Sequence, residues 1–258
     1  MFSVPTRSFS LSRRRFAIGA GALALSAAVG PAFGASVDSF VGGVWAEAKG
    51  RGVPRKIFDA AMGDFAPLPK VMELTRKQPE FTSTVADYIG KRVTDGQSAK
   101  GRDNAGEWAQ TLAAVEARYG VQGEILLAIW GIETNFGGYM GGTNTVHALA
   151  TLTHGGYRAD YFRGELLTSL DILAGGHVTA KNMVGSWAGA MGHPQFMPTS
   201  FMKYAVDFRG DGHKDIWGSV PDALASAGNY LGGFGWRAGE TWGYEVKLPR
   251  NFDYRHVW

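Results

Sequence analysis

Glu133 closes an almost unbroken apolar run. The eight residues before it, Ile125 to Ile132, are interrupted only by Gly131. Glycines follow it, at 137, 138, 141 and 142. A run of this length from Val121 reads as a buried helix rather than a strand, and glycines after such a run mark its end. Glu133 is thus expected in the last turn of a core helix, facing whatever space the Gly-rich loop leaves open. Among Trp130, Ile132 and Phe136 its carboxyl would be poorly solvated, which raises its pKa. The negative end of the helix dipole acts in the same direction. A carboxyl still protonated near neutrality is a general acid, able to protonate a glycosidic oxygen as it leaves. A helix-end Glu held by a nearby amide or arginine fits the same residues, and such networks also perturb carboxyls.

Two further stretches carry chemistry. Gly185 to Gly192 (GSWAGAMG) repeats small residues that let a backbone approach a ligand or another helix. Gln195-Phe196-Met197-Pro198 then supplies an amide and an aromatic face, suited to sugar hydroxyls and rings; close helix packing is the alternative for both. Asp207 to Asp215 (DFRGDGHKD) places Asp at positions one, five and nine and Gly at six, the spacing of a calcium-binding EF-hand loop. His213 would offer its carbonyl at position seven. Arg209 at position three cannot ligate, and Gly218 stands where a bidentate Glu is expected. Asp222 could close a lengthened loop. A metal-free Asp/Gly turn is the competing reading.

Other chemistries are excluded. There is no cysteine, hence no disulfide, thiolate metal site, cysteine nucleophile or lipid-modified N-terminal cysteine. The six histidines (147, 154, 177, 193, 213, 256) show no HExxH spacing, and no GxSxG elbow occurs. The basic balance belongs to the N-terminus: residues 1–34 hold Arg7, Arg13, Arg14 and Arg15 and no acid. Taking those four from the 26 basic residues leaves 22 against 23 acidic ones. Charge therefore gives no argument for nucleic acid.

The elements that must position these residues read as mainly α. Arg13-Arg14-Arg15-Phe16, the uncharged stretch Ala17 to Gly30 and Pro31 to Ala35 read as an export signal of twin-arginine type, with an ordinary secretory signal as the alternative. Its apolar part is too short to span a bilayer, which takes about 20 residues. Residues 36–120 are predicted to be a helical region. Phe40, Val44 and Trp45 give one apolar face, and Ile57, Phe58, Ala61 and Met62 another. Pro54 fits a first turn, and Pro67 and Pro69 break the pattern. Helices follow at Phe81–Val93 and Glu107–Tyr119. Beyond 121, helices are predicted around Ala148–Leu152, over Tyr157–Leu173 with Tyr161, Phe162, Leu166 and Leu170 inward, and over Asp222–Leu231. Thr241–Leu248 reads as a short strand.

With these motifs in hand, the chain resembles the lytic murein transglycosylases, specifically the membrane-bound lytic transglycosylase B family. The resemblance runs from about Phe40 to Leu248. It rests on Trp130 to Asn135 (WGIETN), Ala148 to Leu152 (ALATL), Gly189 to Pro198 (GAMGHPQFMP) and Asp207 to Trp217, with Gln78 to Phe81 (QPEF) as a fifth motif. It implies a fold that is mainly α (α+β): a lysozyme-like helical core over residues 121–258, an N-terminal helical region and a small β element. It implies Glu133 as the lone catalytic acid and base. Ser186, Gln195 and Tyr230 match residues of the substrate cleft, with Phe196 and Asn135 beside them in the same motifs. Asp207, Asp211 and Asp222, with His213, match the ligands of a structural Ca2+, although the family carries Ser, Asn or Asp where this chain has Arg209. No other cofactor is implied.

The reaction implied is cleavage of peptidoglycan glycan strands between N-acetylmuramic acid and N-acetylglucosamine, leaving a 1,6-anhydro product. The expected setting is the periplasm, as an exported monomer without a membrane segment or lipid anchor. Family members continue with a C-terminal segment that helps wall the cleft, and its absence here implies weaker grip on the glycan. A muramidase that hydrolyses the same bond, and a peptidoglycan-binding protein without turnover, are the alternatives.

Overall fold

The computed structural model describes residues 36–76, 84–240 and 246–253. These all belong to one unit, Gly34–Trp258. The export signal predicted at 1–35 and the motif Gln78 to Phe81 lie outside the described residues.

The first helices form where caps and apolar spacing coincide. α1 (Val37–Gly50) starts at Ser36, whose side chain accepts from the Ser39 amide. α2 is Arg55–Met62, with Pro54 as its N-cap rather than inside its first turn. α3 (Pro69–Leu74) corrects an expectation: Pro69 opens a helix instead of breaking one, because a first-turn position has no N–H bond to lose. α4 (Val85–Arg92) is shorter than the predicted Phe81–Val93 and begins at a Thr84 cap.

α5 (Asp95–Glu107) was not legible in the sequence. It has three glycines and buries no residue, so no apolar stripe announces it. Thr94 caps its start, and Gly101 lets it approach the Phe136 ring, where a Cβ would lie 3.3 Å away. α6 (Ala109–Tyr119) ends at Gly120 in the left-handed region, the ordinary glycine stop.

α7 (Gly123–Thr134) is the predicted core helix. α8 (Thr145–His154) is capped by Asn144 and buried along most of its length. α9 spans Ala159–Ala174; Tyr161, expected inward, is 42% exposed beneath the Arg158 guanidinium, 4.5 Å from its ring. α10 (Pro198–Tyr204) again opens on proline, and α11 covers Val220–Gly233.

The β element among the described residues is a pairing that the sequence did not announce. Thr143–Asn144 (β1) pairs antiparallel with Val184–Gly185 (β2). Bridges Gly185–Met191 and Met191–Phe196 extend it. Of the predicted strand Thr241–Leu248, residues 241–245 are not described and Val246 to Leu248 are in no regular element.

Two apolar clusters hold the described chain. One joins α1–α3 to α8–α10 through Phe58, Leu149, Leu166, Met191, Phe196 and Phe201. The other joins α6, α7 and α11 through Val115, Leu126, Trp130 and Leu224. Each fully buried Leu or Phe stabilises by roughly 1.5–3 kcal/mol. Glu133, on α7, shares a cavity with Phe196 of the first cluster and Ala227 of the second.

Candidate active site

α7 carries more apolar surface than a core face needs. Leu126, Leu127, Trp130 and Gly131 are buried, whereas Ala128 and Ile132 are exposed and Ile129 is half-buried. These extra apolar residues line two cavities on opposite sides of the helix. Ala128, Gly131, Ile132 and Phe136 face one of about 340 Å³ between α7 and α5. Ile129 and Glu133, one turn apart on the same face, line the other.

The helix end is defined by backbone rather than by glycine alone. Asn135, Phe136 and Gly137 all take positive φ, at 51°, 57° and 75°. Asn tolerates this region; a bulky Phe there costs of order 1–3 kcal/mol. The turn folds the Phe136 ring back over Gly131, where a Cβ would lie only 2.8 Å from it. That close approach explains the single gap in the apolar run. Phe136 also packs edge-on against Trp130, with ring centroids 5.5 Å apart.

The last turn is strapped to the Gly192–Pro194 loop. The Trp130 indole N–H donates to His193 Nδ1 at 2.9 Å, and the Thr134 hydroxyl lies 3.1 Å from the His193 carbonyl. The His193 amide donates to the Ile216 carbonyl at 2.9 Å. Burial lowers the His193 pKa, with Asp215 acting in the opposite direction; this favours the neutral ring that acceptance at Nδ1 requires. Sequence reasoning missed His193, since no metal or nucleophile spacing marks it.

The cleft in front of Glu133 has a volume of about 330 Å³ and is lined by Ile129, Gln195, Phe196, Ser200, Tyr230 and their neighbours. Phe196 and Tyr230 pack with ring centroids 5.3 Å apart, and Tyr230 also meets Tyr204 and Phe234. Gln195, at φ 50°, donates both amide hydrogens inward, to the carbonyls of Met140 at 3.2 Å and Gly192 at 2.9 Å. Its Oε1 has no partner among the described residues. Ser200 joins the lining without having been singled out. Ser186 and Asn135 are not among the lining residues. Ser186 Oγ accepts from the amides of Ala188 and Ala190, and the Asn135 carbonyl accepts from Lys100 Nζ at 2.7 Å.

Burial pushes the Glu133 carboxyl above its ordinary value, and Arg92 partly opposes this. The side chain is nonetheless exposed by surface area. The two statements agree for a group at a cleft mouth, which water touches from one side while protein occupies the others. Trp130 turns its N–H to His193, Phe136 covers Gly131 and Ile132 is 40% exposed. Arg92 Nη1 donates to the Ile132 carbonyl at 3.0 Å. Among the described residues Glu133 forms no ion pair.

In the Asp207–Asp222 loop the predicted metal ligands are engaged by the protein itself. Asp207 accepts from the amides of Gly210, Asp211 and Gly212. Asp222, fully buried, accepts from Phe208, Arg209 and Asp215. Asp211 accepts from the His213 amide and pairs with Arg209. Among the described residues no three acidic or histidine side chains converge as metal ligands. The carboxylates of the predicted set Asp207, Asp211, His213 and Asp222 face backbone amides and a guanidinium.

Residues 36–258 match the Transglycosylase SLT domain family. Over 123 residues the chain is 48% identical to the membrane-bound lytic murein transglycosylase B of Escherichia coli K12, covering 47% of this chain and 34% of that protein. SltB3 of Pseudomonas aeruginosa, solved in complex with NAG-NAM-pentapeptide and with NAG-anhNAM-pentapeptide, superposes with a TM-score of 0.81 at 44% identity. That match covers 86% of this chain and 59% of SltB3. The Escherichia coli lytic transglycosylase Slt35, solved in complex with calcium, gives 0.70 at 34% identity over 80% of this chain and 64% of its own. The chain thus spans less than two thirds of each of these relatives. The shared fold is the mostly helical, lysozyme-like one.

Proposed function

The chain belongs to the Transglycosylase SLT domain family, and on that premise we propose that it is a peptidoglycan lytic transglycosylase. The observation that carries the reading is Glu133. Its carboxyl has no ion-pair partner among the described residues, sits at the mouth of an aromatic-walled cleft and is held toward its protonated form by burial.

In this reading the protonated carboxyl of Glu133 gives its proton to the oxygen linking muramyl C1 to the next sugar. The C1–O bond breaks, and the N-acetyl group of the same muramyl residue steadies the positive charge at C1. The resulting carboxylate takes the proton of the muramyl 6-hydroxyl, whose oxygen bonds to C1. The product is a 1,6-anhydro end, and Glu133 regains its proton. Because the nucleophile belongs to the bound sugar, no second carboxylate is needed to hold a water. Glu133 is the one acid among the described lining residues of the cleft, which supports this route over two-carboxylate hydrolysis. Gln195 Oε1 is suited to a sugar hydroxyl, and Phe196 and Tyr230 to a sugar face.

Residues 121–258 are read as the catalytic core and 36–120 as its N-terminal helical region. The periplasm is the proposed setting, on the reading of residues 1–35 as an export signal, with glycan strands as partner and a monomer as the working form. Among the described residues no helix is long and apolar enough to cross a membrane.

The test is digestion of intact sacculi with mass spectrometry of the released fragments, by wild type and by Glu133→Gln. Anhydro ends from wild type and none from the variant are expected. Reducing ends would make it a hydrolase. Binding to sacculi without release would make it a non-catalytic binder.

A further inference from the structure

The loop between α10 and α11 has the spacing of a calcium loop but a cation of its own. Arg209 stands at the third position, where such a loop offers an oxygen ligand. Its Nη2 lies 2.7 Å from Asp211 Oδ2 and its Nε 3.9 Å from Asp222 Oδ1. The guanidinium thus joins an acid on the rim, Asp211, to one that is fully buried, Asp222. Asp222 is the loop's anchor: its two oxygens take three backbone amides, from Phe208, Arg209 and Asp215. Those bonds tie both ends of the loop to the first turn of α11. A buried carboxylate of this kind needs a compensating charge as well as donors. In a calcium loop the ion provides it. Here the nearest cation in the loop is Arg209, whose Nε lies 3.9 Å from Oδ1, and the other carboxylates accept from the backbone. Asp207 takes Gly210, Asp211 and Gly212, and Asp215 takes Trp217 and Gly218.

We propose that Arg209 is the resident cation of this loop and holds it in shape without a divalent ion. A planar fork with several donors can bridge two carboxylates at once, which a lysine ammonium does less well. A Ca2+ ion seated between Asp211 and Asp222 would have to displace the guanidinium. The inference is independent of the proposed reaction, since it concerns how the loop is held.

Thermal melting of the full chain tests it, in EDTA, in Mg2+ and in Ca2+, beside calorimetric titration with CaCl2. The wild type is expected to melt within about 1 °C in all three and to bind no stoichiometric Ca2+. Arg209→Ser should melt several degrees lower in EDTA, with Arg209→Lys between the two. Calcium that raises the wild-type midpoint by more than about 3 °C over Mg2+, or a stoichiometric Ca2+ bound by the wild type, overturns the proposal. So does an Arg209→Ser chain that melts like the wild type in EDTA. If Arg209→Ser does not fold, the wild-type titration still decides the question.

Discussion

The indole N–H of Trp130 and Nδ1 of His193 meet at 2.9 Å, and this bond fixes the end of the helix that carries Glu133. Both groups are buried, at 5% and 8% exposure, so neither can turn to water if the other is lost. Trp130→Phe keeps much of the packing and leaves Nδ1 without its donor. The expected cost is about 1–3 kcal/mol, read as a lower thermal midpoint together with slower muropeptide release. A variant that matches the wild type in both would show that the bond does not position the helix end.

The same histidine gives a pH dependence. Burial holds its folded pKa below the ordinary 6.5, so the unfolded chain binds a proton more readily. The contribution is present above 6.5 and is lost as pH falls through the folded value. His177, also lowered by burial, acts in the same direction. Thermal midpoints measured downward from pH 7 should fall, and His193→Gln should flatten that slope.

Glu133→Gln separates chemistry from stability. Its folded pKa is raised, so its stabilising contribution is full below the ordinary 4.5 and is lost as pH climbs through the folded value. At pH 7 the amide should therefore melt at the wild-type temperature or higher. Muropeptide release should drop by roughly 10²–10⁴-fold. A variant that loses stability as well as activity would make Glu133 a structural residue.

Arg92 opposes the effect of burial on Glu133 from its seat on the Ile132 carbonyl. Arg92→Gln should raise the acid's pKa further and move the alkaline limb of the pH–rate profile upward, with Arg92→Lys close to wild type. Lys100 reaches the same turn through the Asn135 carbonyl, and Tyr230 is the other titratable group lining the cleft. An unshifted profile in Arg92→Gln would remove Arg92 from the account.

Gly131→Ala pits helix propensity against packing. Alanine gains about 1 kcal/mol within a helix, but its Cβ would come within 2.8 Å of the Phe136 ring. Overpacking of about 1–3 kcal/mol should prevail, lowering the thermal midpoint. Phe136→Leu in the same chain should recover part of the loss. A stabilised single variant would mean that the Phe136 turn yields at little cost.

The sequence by itself determined α7 and the placement of its acid. An apolar run closed by Glu and followed by glycines is local information, and the helix ends one residue after Glu133. It also determined the amphipathic helices, because apolar spacing is written along the chain. It did not determine α5, whose polar, glycine-rich residues leave no stripe. It named Gln195, Phe196 and Tyr230, but their convergence on Glu133 depends on how α7, the Gly192–Phe196 loop and α11 pack. Tertiary structure alone decided that Lys100 reaches the Asn135 carbonyl, and that Arg209 reaches Asp211 and Asp222. The physical reason is range: propensity and periodicity act over a few residues, whereas desolvation and charge pairing depend on groups that only folding brings together.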